Sequence, residues 1–258
     1  MIRQVSAYVA VCALLIAVPA AAQEHHAWPE RTFVTIDVPF QPLNNDFSES
    51  VSITDAFVKS EKDGFNAAYR STKGALFDVG AGVRLAGSFG VGVTAAWFRR
   101  SGDATFDLSV PNPLAANKPR ALGGTVADLN RREIGVHVQA LYAVPLGPKT
   151  RLMLSGGPSV FNARQDVVRS VEFDEAAGFS SIKLNQVITT AVTRTVVGFN
   201  VGADITWALG SHFGVGSVTR YSRGTFTMDP GATTASVTRA IDARAGGLQI
   251  GAGVRLLF

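Results

Sequence analysis

Eight polar residues sit at corresponding positions in stretches that are otherwise apolar: Asp78, Arg84, Glu133, His137, Gln139, Asn200, Asp204 and Arg255. Acids, bases and amides gathered inside a small β-structure can neutralise one another and fill it, and the alternative chemistry is a narrow gated conduit for ions or small solutes. Ser211-His212 is a possible nucleophile and base. Lipid hydrolysis would also need an orienting acid or amide within hydrogen-bond reach, and small polar residues in a turn account for the pair without catalysis. His25-His26 could hold a transition metal weakly, but no third ligand accompanies them. Glycines at 80, 82, 87, 90 and 92 fit a dinucleotide loop only loosely, and no crossover helix follows. Relief of crowding in a curved sheet explains them better. No catalytic residue, metal or cofactor is therefore expected.

The elements that must position these residues are strands. At the end of the chain Ile250, Ala252, Val254, Leu256 and Phe258 alternate with Gln249, Gly251, Gly253 and Arg255. Successive strand side chains point to opposite faces, so this period of two predicts one face toward hydrocarbon and one away from it. The pattern recurs. Phe77 to Arg84, Phe199 to Thr206 and Leu248 to Arg255 are one strand type used three times, and the first two copies run into Gly87-Ser88 and Gly210-Ser211. A third tight link lies at Gly147-Pro148-Lys149. Short Gly-containing links join antiparallel neighbours.

Strands are expected near 32–58, 65–86, 90–110, 125–146, 150–173, 182–209, 213–228 and 237–258. Backbone amides crossing hydrocarbon without helices need a sheet with no free edge, which predicts an all-β, closed, antiparallel eight-stranded transmembrane barrel. In the first strand Pro39, Pro42 and Asn44-Asn45-Asp46 leave open whether the stretch is one strand or two. A strand over 182–209 would rise about 70 Å against an apolar band of about 25 Å. Its distal residues, Lys183, Asn185, Gln186, Thr189, Thr190, Thr193, Arg194 and Thr195, and the stretch Asn162 to Arg169, are read as polar on both faces of a sheet projecting above lipid. Trp97, Tyr142 and Trp207 are candidate interface aromatics.

The amino terminus reads as an export signal. Arg3 is followed by an apolar run from Val9 to Val18 and by Ala20-Ala21-Ala22, so residues 1–22 are expected to be cleaved, with a short tail at 23–31 and the barrel over 32–258. Cys12, the only cysteine, would leave with the leader, which excludes disulfides and thiolate metal sites from the mature chain. That chain keeps 23 basic residues against 20 acidic ones, too mild and dispersed a balance for nucleic acid.

Ile250-Gly251-Ala252-Gly253-Val254-Arg255-Leu256-Leu257-Phe258 resembles the terminal strand of bacterial outer-membrane barrels. In that family this segment is read by the barrel-assembly machinery, which makes Ile250, Val254, Leu256 and Phe258 the implied assembly signal. From about Thr32 to Phe258 the chain is similar to the small eight-stranded barrels of the outer-membrane-protein A and X group and the opacity-type surface proteins, without the added periplasmic peptidoglycan-binding domain of two-domain members. The resemblance implies a Gram-negative outer membrane with its lipid and lipopolysaccharide as surroundings, and a non-catalytic structural or adhesion-like role toward an extracellular ligand. A narrow channel is the alternative, and a lipid-modifying enzyme the third reading.

Overall fold

The computed structural model describes residues 30–53, 63–71, 73–115, 118–229 and 241–258. Among the described residues eleven strands follow in chain order: β1 (Thr32–Gln41), β2 (Phe47–Ile53), β3 (Asp63–Ser71), β4 (Gly74–Ala75), β5 (Phe77–Ala86), β6 (Phe89–Val110), β7 (Arg120–Pro145), β8 (Thr150–Glu175), β9 (Ile182–Ala208), β10 (Phe213–Met228) and β11 (Ile241–Leu257). A 3-10 turn, Ala177–Phe179, lies between β8 and β9. Antiparallel ladders join β1 to β5, β5 to β6, and each later strand to the next as far as β11, which pairs with β1. These eight strands form a hydrogen-bonded ring. Where the ends of the chain meet, Phe258 N donates to Thr32 O at 2.9 Å and Thr32 N returns the bond to Phe258 O at 3.0 Å.

The links differ by end. At one end are the tight connections around Gly87, Gly147 and Gly210, with Gly87 at φ 53°, a left-handed conformation that costs glycine nothing. At the other end the strands outrun the ring's lower half, so the two ends are called the turn end and the loop end. From Val197 to Trp207 the outward side chains of β9 are Val197, Phe199, Val201, Ala203, Ile205 and Trp207, nearly all exposed. That stretch rises about 25 Å at ~3.3 Å per residue and a tilt near ~40°. Ile36, Val38 and Phe40 on β1, Val91, Val93 and Trp97 on β6, Val136 and Val138 on β7, and Ile250 on β11 extend it round the ring as an apolar belt. Aromatic contacts edge it on both sides. Phe89 and Tyr142 meet at 4.9 Å at the turn end, while Phe77 and Trp97, and Phe199 and Tyr221, meet at 6.1 Å at the loop end.

Above the belt the wall continues round an apolar interior. Phe65, Ala67 and Tyr69 of β3 pack with Ala104 and Phe106 of β6, Leu129 of β7, Val167 and Val168 of β8, Val192 of β9, Met228 of β10, and Ile241 and Ala243 of β11. One polar tie crosses this core: Tyr69 Oη donates to Glu49 Oε1 at 2.8 Å and accepts from Val168 N at 3.0 Å.

One open point is answered and two expectations are revised. The stretch over 32–58, left open as one strand or two, is two, β1 and β2, separated at Pro42–Asp46, and the strand expected over 65–86 is interrupted into β3, β4 and β5. The count round the ring stays at eight, because β2 and β3 stack above β1 and β5 along the same wall, with β3 pairing β6 beyond the reach of β5. The expected strand limits at 58 and 237 lie outside the described residues. The projecting stretches are not polar on both faces: Lys183, Asn185, Gln186, Thr189, Thr193 and Thr195 are exposed, but Leu184, Val187 and Val192 face the core, as do Ala163, Val167 and Val168. With water outside in place of lipid, the only apolar environment open to these strands is one another, so apolar side chains turn inward.

Candidate functional site in the barrel interior

At belt height the inward parity of each strand carries polar side chains, and they form two connected groups. Arg255, 1% exposed, is held between two acids: its Nη1 donates to Asp37 Oδ1 at 2.7 Å and its Nη2 to Asp204 Oδ2. Thr206 Oγ1 donates to the other Asp204 oxygen at 2.8 Å. Next to it Arg220 pairs with Asp78 and donates to Gln249 Oε1 at 2.9 and 2.7 Å. Three carboxylates thus face two guanidinium groups across β1, β5, β9, β10 and β11. The second group holds no carboxylate and no guanidinium. His137 Nδ1 is 2.7 Å from Ser159 Oγ, Asn200 Nδ2 donates to the same hydroxyl at 2.9 Å, Gln139 Nε2 donates to Asn200 Oδ1 at 2.9 Å, and Thr94 Oγ1 donates to Gln139 Oε1 at 3.0 Å. Phe161 stands edge-on to the His137 ring at 5.5 Å.

Between the groups lies a cavity of about 60 Å³, lined by Asp37, Asp78, Gln139, Asp204, Arg220 and Arg255 among others. That is room for a few waters and no organic solute. Apolar residues pack on both sides of it, and its lining reaches past Phe33, Leu141 and Met153 to Arg151. Toward the turn end Phe33, Leu141, Ala143, Met153 and Leu257 form an apolar layer, and toward the loop end the Phe106 core begins. Beyond the lower layer Arg151 is paired with Glu30, the residue two before β1. Between the charged group and the upper core, Glu133 accepts from Gly246 N at 2.6 Å and pairs with Arg131 at 3.2 Å.

Of the eight polar residues singled out from the sequence, the structure joins Asp204 to Arg255, joins His137 to Asn200 through Ser159 and Asn200 directly to Gln139, ties Asp78 to Arg220, and puts Glu133 one layer higher. Arg84 is half-buried, six residues along β5 from Asp78 toward the turn end. Sequence reasoning missed Asp37, Thr94, Ser159, Arg220 and Gln249, and the pairs Arg151–Glu30 and Arg131–Glu133. Parity carried the available signal: Arg220 shares it with Gly214 and Gly216, and Asp37 with Thr35 and Pro39.

Ile250 and Phe258 are exposed on the outer face and Val254 and Leu256 half-buried there, while Trp97 and Trp207 are exposed at opposite edges of the belt. Ser211 Oγ lies 2.8 Å from His212 Nδ1 in an exposed turn. The Glu30 carboxylate at that end is engaged by Arg151. No group of three or more metal-ligating side chains occurs among the described residues, and His25, His26 and Cys12 lie outside them.

No family profile and no curated protein matches the chain. Among solved structures it is similar to Neisserial surface protein A, at 14% identity over 88% of this chain and 97% of that one with a TM-score of 0.40. It is also similar to the outer membrane protein OprG from Pseudomonas aeruginosa, at 13% identity over 91% and 99% with a TM-score of 0.49, and to the outer membrane protease OmpT from Escherichia coli, at 8% over 92% and 100% with a TM-score of 0.43. Identities this low transfer no residue role.

Proposed function

We propose that this chain is an outer-membrane β-barrel that conducts nothing and catalyses nothing, and that its role is structural and surface-binding. The observation that carries the reading is the polar network of Arg255 and Arg220, which fills the inside of a ring with an apolar outer belt and leaves a cavity of only about 60 Å³ beside it. A ring-bonded sheet with hydrocarbon-compatible side chains outside and paired charges inside suits a bilayer, and at eight strands its interior is filled by side chains. Small bacterial barrels put short turns in the periplasm and long loops outside. In that orientation the turn end faces inward, the terminal strand is presented to the assembly machinery, and the sheet above the belt reaches outward. Its strands are long enough for this: the 27 residues of β9 rise about 70 Å at ~3.3 Å per residue and a tilt near ~40°, well beyond the belt. The Ser211-His212 pair serves the turn.

The test is planar-bilayer recording of protein whose folding is verified by heat-modifiable gel mobility. Silence is the expected result. Discrete conductance steps from the folded protein would overturn the filled-lumen reading and favour the channel.

A further inference from the structure

Three arginines stand side by side on the outer wall. Arg99 of β6 is the direct cross-strand partner of Arg132 of β7, and Arg132 is that of Arg164 of β8. All three are exposed. Directly opposed residues have Cβ atoms about 5 Å apart, and like charges so placed destabilise a sheet. Among the described residues none of the three guanidinium groups has an ion-pair partner. Asp166, the acid two residues beyond Arg164, has its Oδ2 occupied by the backbone N of Asn130 at 3.0 Å and its Nδ2 at 3.3 Å.

The position of the row gives it a meaning. One outward step toward the belt are Trp97 and Ile134, themselves cross-strand partners, and the next step is Ala95, Val136 and Val160. Two residues along a tilted strand rise about 5 Å, so the row lies just above an aromatic edge of the kind that sits among lipid headgroups. At two strand spacings it spans about 10 Å. Guanidinium groups bind phosphate through paired N–H donors, and a rank of three suits an anion that carries more than one phosphate on a single rigid headgroup.

We propose that Arg99, Arg132 and Arg164 form a binding site for the phosphates of lipopolysaccharide in the outer leaflet, an inference that rests on the outer-membrane reading above. The unopposed charge row is a cost to the protein alone, and the lipid phosphates remove it.

The experiment uses the full protein, refolded in detergent with heat-modifiable mobility as the folding check, and measures binding of purified bisphosphorylated lipopolysaccharide. The wild type is expected to bind it in a salt-sensitive manner. The triple variant R99Q/R132Q/R164Q should fold, because the three side chains are exposed, and bind at least about tenfold more weakly. R99K/R132K/R164K, which keeps charge and loses paired donors, should fall between them, and Lys183→Gln, high on β9, should match the wild type. Dephosphorylated lipopolysaccharide should bind no variant better than another. Inorganic phosphate at equal concentration should not compete; if it does so as well as the lipid, the row is a small-anion site and the lipid assignment fails. Equal lipopolysaccharide affinity of wild type and triple glutamine variant overturns the site while leaving the barrel intact. Protein that is soluble without detergent and shows no heat-modifiable mobility removes the barrel reading, and the site with it.

Discussion

Replacing Arg255 by leucine should be the most damaging single change in the lower barrel. The side chain is 1% exposed and bridges Asp37 and Asp204, so Arg255→Leu strips the partner from two acids in one step. Asp37, 3% exposed, is left without its cation, whereas Asp204 keeps the Thr206 hydroxyl. Breaking a buried pair by removing one member costs about 3–5 kcal/mol, most of it from the stranded charge. Taking away that charge should then recover stability. Asp37→Asn in the wild-type background loses one charge-assisted bond and should cost about 1–2 kcal/mol, while in the Arg255→Leu background it should return a similar amount. The sign reversal is the diagnostic. Urea titration of protein folded into lipid vesicles, read by tryptophan fluorescence and extrapolated to zero denaturant, measures all four corners of the cycle. If Arg255→Leu lies within about 1 kcal/mol of wild type, or if Asp37→Asn destabilises both backgrounds equally, the charges are not coupled as described and the reasoning fails.

Three further outcomes are expected. Phe106→Ala removes a ring that is 1% exposed from the loop-end core and should cost about 3–5 kcal/mol by urea titration, with faster proteolysis of the projecting sheet. Gly246→Ala should cost about 1–3 kcal/mol, because the residue sits at φ 82° and an added Cβ would come within 2.5 Å of Ser222 O; a melting temperature equal to wild type would count against this backbone. Phe258→Ala should lower the amount of folded protein recovered in outer-membrane fractions more than Phe179→Ala in the 3-10 turn does, and equal recovery would argue against an assembly role for the last residue.

Alternation is a local property, so the strands of the lower barrel could be read residue by residue: β11 and β9 show their two faces within eight residues, and the tight links fix which strands are neighbours. What joins Arg220 to Asp78, 142 residues apart, is strand order and stagger round the ring, and neither is written in any one segment. Asp37 was obscured by Pro39 and Pro42, which made the first strand difficult to phase. Above the belt the reading failed for a different reason. Thr and Arg occupy five of the seven positions from 189 to 195, and the single buried Val192 was outnumbered by polar neighbours of which all but Thr190 are exposed. The register shift between Val168 and Ser170 further broke the parity of β8, so that consecutive valines 167 and 168 are both buried. The Arg99, Arg132 and Arg164 row could not be seen in the sequence at all, since three strands must be in register before it exists.

The interruption of the first strand has a mechanical corollary. β1 and β11 are laddered only from Phe33 with Leu257 up to Phe40 with Ile250, and above that point no ladder among the described residues joins β2 to β11. There the wall is fastened by a side chain: Asn45 Nδ2 donates to Gly246 O at 2.6 Å. A cylinder whose first and last staves are pegged rather than glued over their upper length should part along that line before any other, and amide exchange along 241–249 would time the parting.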